Sequence, residues 1–193
     1  MNFLQRTSLL LIFATLFLVG CSKGESNQQQ EEEAVTSTLD VDSLLSNPDA
    51  FVDQDIVLEG ICTHICKHGG GKIFLMGSDD SKTIRVEAGD AIGSFPEECV
   101  HSVVKVEGKL VEERIDEAYL AQWEAEVAEA AKQQGEGSGG CAADMQANTE
   151  QVANSVAERI ANFRARIAER TEREGKAYVS LYHIVADKYE IEE

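Results

Sequence analysis

The chain has 193 residues, with 17 basic and 35 acidic side chains and a formal net charge of −18 at pH 7. This excess of carboxylates argues against nucleic acid and anionic lipid surfaces as partners, because binding either one requires Lys and Arg to neutralise phosphate. The length is typical of one ordinary domain with its own hydrophobic core.

The first twenty residues have the pattern of a secretion signal, with an almost unbroken apolar run from Leu9 to Val19 that is too short to span a membrane. The sequence Leu18-Val19-Gly20-Cys21 resembles the lipobox of bacterial lipoproteins, in which the bond before the cysteine is cut and the cysteine is acylated. The resemblance implies a signal peptide over 1–20 and lipidation, including palmitate, at Cys21. We therefore expect a lipoprotein anchored to a cell-envelope membrane, favouring the outer membrane, that faces the periplasm or the cell surface.

Residues 22–38 contain the polar run Gln28 to Glu33 and almost no apolar side chain. Such a segment cannot bury enough surface to offset its chain entropy, so 21–38 is interpreted as a lipidated cysteine followed by a disordered tether. Folding is expected to begin at residue 39, and 39–193 forms the domain.

The hydrophobic pattern of the domain predicts five strands. A short helix precedes them, capped by Asp40 or Asp42 and ended by Asn47-Pro48. Gly60 marks the position at which we expect the first strand to bend. The strands are placed at about 56–66, 72–76, 84–88, 103–111 and 178–191, with a short helix at about 94–101.

Between the fourth and fifth strands the apolar period changes to that of helices. Tyr119, Trp123 and Val127 recur every four residues on a helix from about 116 to 134. A second helix begins after Cys141 and carries the apolar stripe Val152, Val156, Ile160, Phe163 and Ile167. Two amphipathic helices joined by a glycine-rich turn predict an antiparallel hairpin, inserted at about 116–174, with the two stripes as its core seam. A groove for a cofactor or a partner is the alternative interpretation of the stripes.

Five strands with a short helix between the third and the fourth is the order of the OB-fold. The predicted class is mainly β with α: a five-stranded OB-fold-like barrel with a two-helix antiparallel hairpin inserted between strands four and five. A separate C-terminal helical domain is the alternative, but it leaves the last strand without a partner. The segments 42–60, 84–86 and 104–108 resemble periplasmic OB-fold proteins and lipoproteins related to the tRNA-anti-like family, commonest in the Bacteroidetes. This resemblance implies the fold and little about activity.

The run from Cys62 to His68 contains two cysteines and two histidines, which are potential metal ligands, within seven residues. On an extended strand, Cys62, His64, Cys66 and His68 all point to one face. Cα atoms four residues apart on a strand lie roughly 13 Å apart, beyond the limit of about 7 Å for a disulfide, so Cys62 and Cys66 should not pair. The same spacing prevents all four side chains from reaching one metal ion.

The candidate metal ligands are His64, Cys66 and His68, with Cys99 and His101 as further candidates. Zinc or copper is the expected metal, because thiolate with imidazole suits both. Cys141 is placed at the far tip of the hairpin, about 25 Å out, in another site such as an intermolecular disulfide. The cysteines that follow the anchor allow three full pairings, and their spacing selects none.

A non-catalytic binding or scaffolding module is the first functional expectation, with an envelope protein bound through the helical hairpin, since buried cysteines often act as small hydrophobes. A metal-binding or haem-binding lipoprotein that uses the Cys/His run is the alternative. A thiol redox protein is a second alternative, although the chain has no C-x-x-C motif. An enzyme is not expected, because Ser180 and His183 have opposite parity on a strand and cannot form a triad with Asp187.

Overall fold

The computed structural model describes residues 37–66, 69–134, 141–151 and 153–192. The residues outside the described ranges include those of the predicted signal peptide, the predicted lipidation site Cys21, nearly all of the predicted tether, His68 and Val152. None of the helices in the described ranges is both long enough and apolar enough to cross a membrane.

The described chain contains six strands and four α-helices. The strands are β1 (Leu39–Asp40), β2 (Asp55–Ile65), β3 (Lys72–Met76), β4 (Thr83–Ala88), β5 (Val103–Asp116) and β6 (Tyr178–Glu192). The helices are α1 (Val41–Ser46), α2 (Glu117–Gln134), α3 (Ala142–Ala147) and α4 (Val156–Glu174). Short 3₁₀ turns occupy Pro48–Phe51 and Glu97–Cys99.

Five of the strands close into a barrel in the order β2, β3, β4, β6, β5 and back to β2. Within this ring, neighbouring strands are antiparallel except β4 and β6, which are parallel. Strand β1 pairs with β2 in the parallel direction, outside the closed ring. The barrel is the predicted OB-fold arrangement. β6 pairs with β5 from Asp116 opposite Tyr178 to Val103 opposite Glu192, so the alternative of a separate C-terminal helical domain is wrong. The core side chains come from every barrel strand: Ile56, Leu58, Cys62, Ile73, Leu75, Ile84, Val86, Val104, Val106, Leu110, Ile184 and Ala186.

Two short helical segments precede β2 and β5. Asp40 caps α1 by accepting a hydrogen bond from the backbone N–H of Ser43, and Asn47 ends the helix, as predicted. The helix predicted at 94–101 is only the 3₁₀ turn Glu97–Cys99. Pro96 keeps an extended conformation before this turn and Val100 is extended after it, so the backbone cannot complete an α-helix.

A bulge in β2 changes which side chains share a face. Cys62 lies opposite Leu75 and His64 lies opposite Phe74, so Thr63 is an extra residue without a partner in β3. The extra residue reverses the alternation, which puts Cys62 in the barrel core while His64 stays partly exposed outside it. The prediction that Cys62, His64 and Cys66 share one face is therefore wrong. The bend expected at Gly60 lies at Thr63 instead.

Gly60 serves a different purpose from the one predicted. A Cβ built at Gly60 would lie 2.8 Å from Cγ2 of Val41. Such a contact is shorter than carbon atoms tolerate, so glycine allows α1 to pack closely against β2.

The insertion between β5 and β6 contains the two long helices that were predicted, α2 and α4, and an additional short helix between them. The predicted second helix does not run continuously from Cys141, because α3 ends at Ala147 and α4 begins only after Ser155. Ser155 caps α4 by accepting a hydrogen bond from the backbone N–H of Glu158, which fixes the new start. The contacts between α2 and α4 include Trp123 against Phe163, with ring centroids 6.4 Å apart.

The core seam of the insertion agrees with the prediction on α4 and differs from it on α2. Ile160, Phe163 and Ile167 are buried, as their period predicts. On α2, Trp123 packs against the seam as predicted, but the position of Tyr119, which is 42% exposed, is taken by its neighbour Leu120, which is fully buried. The predicted stripe on α2 is therefore wrong at its first residue.

Candidate functional site

One row of side chains crosses the outer face of the barrel beneath the insertion. The strand registers place His64 opposite Phe74, Phe74 opposite Arg85, and Arg85 opposite His183. Ile84 and Val86, which flank Arg85 in sequence, lie in the barrel core, so the row points outward. Phe74 is only 1% exposed despite this direction. Helix α3 contacts both β3 and β4, and it covers this part of the barrel.

A cavity of about 440 Å³ lies between this outer face and the three helices of the insertion. Its volume is within the range of small-molecule sites. Strands, helices and the segment after α3 all contribute to the wall, which is both aromatic and charged. The lining residues are Lys72, Arg85, Glu87, Glu113, Ile115, Tyr119, Trp123, Asp144, Asn148, Arg159, Phe163, Leu181 and His183.

Arg85 is the buried cation on the floor of the cavity, and three carboxylates surround it. Its side chain is 8% exposed, and its Nη1 donates to Oδ1 of Asp144 at 2.8 Å. Nε lies 3.2 Å from Glu87 and Nη2 lies 3.8 Å from Glu113. Asp144 belongs to α3, so this ion pair attaches the short helix to the barrel.

Arg159 of α4 is a second buried cation at the wall of the cavity. Its Nε and Nη2 donate to the two carboxylate oxygens of Glu150, at 2.6 and 2.7 Å. The same guanidinium lies over the rings of Trp123 and Phe163, 5.4 and 5.8 Å from their centroids. Arg159 therefore connects α2, α4 and the segment between α3 and α4 through one planar group.

His183 and Asn148 each carry a buried polar atom with no hydrogen-bond partner among the described residues. The atoms are Nδ1 of His183 and Oδ1 of Asn148. Burial, and then the positive charge of Arg85, lower the pKa of His183 below its ordinary value, so the imidazole is held neutral. A neutral imidazole has one nitrogen that accepts a hydrogen bond.

The upper wall of the cavity is aromatic. Tyr119 and Trp123 of α2 meet edge to face with ring centroids 6.4 Å apart. Burial, and then the negative charge of Glu113, raise the pKa of Tyr119, so the phenol keeps its proton at neutral pH. Trp123 is the only tryptophan of the chain, so its fluorescence reports directly on the cavity.

The structure divides the predicted metal ligands between two environments. Nε2 of His64 lies 3.8 Å from Sγ of Cys141, and the His64 ring lies against Phe74. The placement of Cys141 at a distant tip is therefore wrong, because the chain returns to the barrel just before α3. Cys66 is half-buried at the end of β2, where its backbone N–H donates to Lys72.

The two further candidates, Cys99 and His101, lie beside Cys62. The backbone N–H of His101 donates to the carbonyl of Cys62 at 2.7 Å, and Cys99 is buried in the same core cluster. Burial, and then the charge of Cys62, raise the pKa of Cys99 to about 11, so this thiol keeps its proton at neutral pH. Within the described ranges no three His, Cys, Asp or Glu side chains are grouped to hold a metal ion.

Sequence reasoning did not identify the charged cavity. Its members Arg85, Glu113, Asp144, Arg159 and His183 are far apart along the chain. The available signal was Arg85 between two core residues of a strand, at an outward position that faces a predicted helical insertion. His183 was interpreted only as a structural residue, because its relation to Arg85 depends on the parallel pairing of β4 with β6.

The closed barrel and its strand order define the chain as an OB-fold protein whose connection between the fourth and fifth barrel strands carries a helical insertion. No known protein family matches the chain, and no curated protein matches it. Among solved structures it is similar to a "putative aspartyl-tRNA synthetase from Leishmania major Friedlin", at 21% identity and a TM-score of 0.30. The match covers 45% of this chain and 18% of that chain. The fold assignment rests on the strand topology alone.

Proposed function

We propose that the chain is a lipid-anchored envelope protein that acts as a non-catalytic binding module, with its ligand site in the cavity under the insertion. The observation that carries the proposal is the position of this cavity of about 440 Å³. OB-folds bind ligands on the face of their second and third strands, beside the connections that flank it. β3 and β4 are those strands here, and the insertion is one of those connections.

The anchor part of the proposal rests on the lipobox-like sequence that ends at Cys21 and on the polar segment that follows it. Acyl chains on Cys21 would hold the chain at a membrane, because each buried CH₂ contributes about 0.8 kcal/mol. The variant Cys21→Ser should move the chain from the membrane fraction to the soluble fraction of the cell envelope. An unchanged distribution would exclude the anchor without affecting the cavity.

Retention of a ligand by the full chain tests the binding part of the proposal. The purified chain is incubated with a small-molecule extract of cell envelopes, desalted and examined by native mass spectrometry. We expect a bound species that is lost in Trp123→Ala, which removes a wall of the cavity, and kept in Val127→Ala. Val127 is a matched control because it lies one turn further along the same helix and does not line the cavity. The assignment would be contradicted if both variants retained the ligand equally. It would also be contradicted if no form of the chain, native or variant, retained a ligand.

The approach of Cys141 to His64 favours a second candidate, a zinc or copper site outside the barrel. A thiolate and an imidazole 3.8 Å apart are suitable ligands for either metal, and Cys66 is two residues from His64 on the same strand end. In this candidate Cys141 replaces Cys99 and His101 as the helper ligand. His68, which was predicted as a ligand, lies outside the described residues.

Elemental analysis of the full chain, prepared without a histidine tag, tests the metal site. We expect about one zinc or copper per chain, as in sites of this ligand type, with most of it lost in His64→Ala and in Cys141→Ala. His101→Ala is the matched control, since His101 lies beside Cys62 and should leave the metal content unchanged. A native chain that takes up no zinc or copper would refute the candidate.

A further inference from the structure

The cationic donors of the cavity face carboxylates of the protein. Arg85 donates through Nη1 to Asp144, while its Nε and Nη2 lie 3.2 and 3.8 Å from Glu87 and Glu113, and Nε makes no hydrogen bond within the described residues. Lys72 lies 3.2 Å from Glu87, and Arg159 gives two of its nitrogens to Glu150. The faces of Arg159 are also engaged, because its guanidinium lies over two aromatic rings. A phosphate or carboxylate ligand would have to displace one of these internal acceptors to reach a guanidinium.

The acceptors of the cavity are used less fully. The side chains of Glu87 and Glu113 remain 30% and 34% exposed while they line the cavity. Glu113 contacts Arg85 only at 3.8 Å and also interacts with the Tyr119 hydroxyl. An ionised carboxylate offers about four lone-pair sites, so both groups have acceptor capacity left.

Two further polar side chains, one of them with a free amide oxygen, lie deeper in the same cavity. Asn148 and His183 are 5% and 9% exposed, and each has a buried atom without a hydrogen-bond partner in the described part of the chain. The terminal torsions of Asn and His side chains are soft, so a donor in the cavity can engage these atoms through a small rotation. A buried polar atom gains from such a partner, because leaving it unpaired costs about 1–3 kcal/mol.

The charges around the cavity favour a cation over an anion. In the lining Lys72, Arg85 and Arg159 balance Glu87, Glu113 and Asp144, and Glu150, which pairs with Arg159 behind the wall, adds one negative charge. The chain as a whole carries −18, which attracts cations and repels anions. The aromatic wall is compatible with the same sign, because ring faces are negative: Arg159 already lies over Trp123 and Phe163, and Tyr119 adds a third ring to the wall.

We propose that the cavity binds a small amine-bearing cation, whose ammonium group donates hydrogen bonds to Glu87 and Glu113 beside the Trp123 ring. The inference rests on the proposed function, which makes this cavity the ligand site, and it adds the chemical class of the ligand. The ammonium group supplies donors to the partly exposed carboxylates of Glu87 and Glu113, and the two glutamates supply the countercharge.

Calorimetry and Trp123 fluorescence with the full chain test the proposal through two matched sets of probes. The first set is 1,4-diaminobutane, 1,4-butanediol and butanedioate, and the second set is glucosamine, glucose and glucuronate. We expect at least one amine to bind about tenfold or more tighter than its alcohol and carboxylate counterparts, as charge-assisted hydrogen bonds to carboxylates should provide.

Variants connect that affinity to the two glutamates. Glu113→Gln and Glu87→Gln should each weaken amine binding about tenfold, because each removes one charge-assisted acceptor. Glu107→Gln is the matched control, since Glu107 lies on the same strand as Glu113 and pairs with Lys188 outside the cavity. Unchanged melting temperatures of the variants establish that a loss of affinity is not a loss of fold.

The outcomes separate this inference from the function on which it rests. Tighter binding of a carboxylate, equal binding of glucosamine and glucose, or amine binding that ignores Glu113→Gln would each overturn the amine assignment. If no probe binds while the native chain still retains an envelope ligand that Trp123→Ala loses, the amine assignment fails and the binding function stands. If neither the probes nor any envelope ligand bind, both fail.

Discussion

At the scale of single residues, Arg85 organises the surface beneath the insertion. Its guanidinium reaches a carboxylate on its own strand, one on β5 and one on α3, through Glu87, Glu113 and Asp144. Only a planar group with several fixed donors can meet three acceptors in this way, so lysine would be a poor substitute. Burial of His183, and then the positive charge of Arg85 opposite it in the sheet, lower the pKa of His183 and keep this imidazole neutral.

The neutral state of His183 leads to a prediction about pH. The groups that face it are Arg85, Lys72, Glu87 and Glu113. Its folded pKa is below the ordinary value of 6.5, so between the two pKa values the unfolded chain binds more protons than the folded chain. The free energy of unfolding therefore falls as the pH decreases below about 6.5. In His183→Gln this contribution is absent, and we expect a smaller loss of stability between about pH 7.5 and pH 5.

Urea unfolding of the native chain and the variant at several pH values measures this difference. Carboxylates titrate in both proteins, so only the difference between the two curves reports on His183. His101→Asn is the control: His101 is exposed and has a positive φ of 71°, a conformation that asparagine tolerates. A curve for His183→Gln that runs parallel to the native curve would show that His183 protonates as readily in the fold as out of it.

At the scale of elements, the bulge in β2 determines what the Cys/His run can do. One extra residue, Thr63, moves Cys62 into the core and leaves His64 on the outer surface. The run therefore contributes to two environments, a buried pair of thiols with Cys99 and an outer pair of His64 with Cys141. A strand without the bulge would have presented the whole run to one side.

Helix α2 offers a direct test of the packing of the insertion. Leu120 is completely buried, whereas its neighbour Tyr119 is 42% exposed. Leu120→Ala should lower the free energy of unfolding by about 3 kcal/mol, because it removes apolar contacts and leaves a cavity. Tyr119→Ala should cost less than about 1 kcal/mol.

Chemical denaturation of the two variants measures both changes. The period of Tyr119, Trp123 and Val127 predicts the opposite order, with the larger loss in Tyr119→Ala. A larger loss in Tyr119→Ala would therefore mean that α2 packs through the face that its sequence period indicates. The two substitutions are matched, since they fall on adjacent residues of one helix.

Sequence reasoning predicted the barrel because local signals determine it. Alternating apolar residues placed all five barrel strands, and the short turn between the third and fourth strands identified the fold. The bulge at Thr63 has no such signal, since threonine is equally suited to a regular strand. The break between α3 and α4 was missed because the apolar stripe continues past the cap at Ser155.

The candidate site was much less predictable than the fold. Its lining residues extend from Lys72 to His183, and strand pairing and helix packing bring them together. No local pattern shows that Asp144, at the start of the predicted second helix, meets Arg85. The Cys/His run attracted attention because its residues are chemically unusual and adjacent, whereas the cavity uses ordinary charged residues at long range.

At the scale of the whole molecule, the charge separates this barrel from OB-folds that bind nucleic acid. Those proteins combine a positively charged groove with aromatic side chains on which bases stack. Here the aromatic wall is present, but the cations Arg85 and Arg159 are neutralised by carboxylates, and the net charge is −18. The amine proposed above would place a ligand of the opposite sign at the same fold position.

This contrast gives a prediction for the full chain. A fluorescent single-stranded oligonucleotide should show no change in anisotropy at protein concentrations up to about 10⁻⁴ M in about 0.1 M salt, because counterion release cannot drive its binding. The double variant Glu87→Lys, Glu113→Lys reverses two charges beside the aromatic wall, and it should gain weak binding that decreases as salt increases. Binding of the oligonucleotide by the native chain, with a similar dependence on salt, would show that the barrel carries a positively charged surface despite the net negative charge of the chain. Binding by neither protein would mean that the two added lysines do not supply enough positive charge for an oligonucleotide to bind.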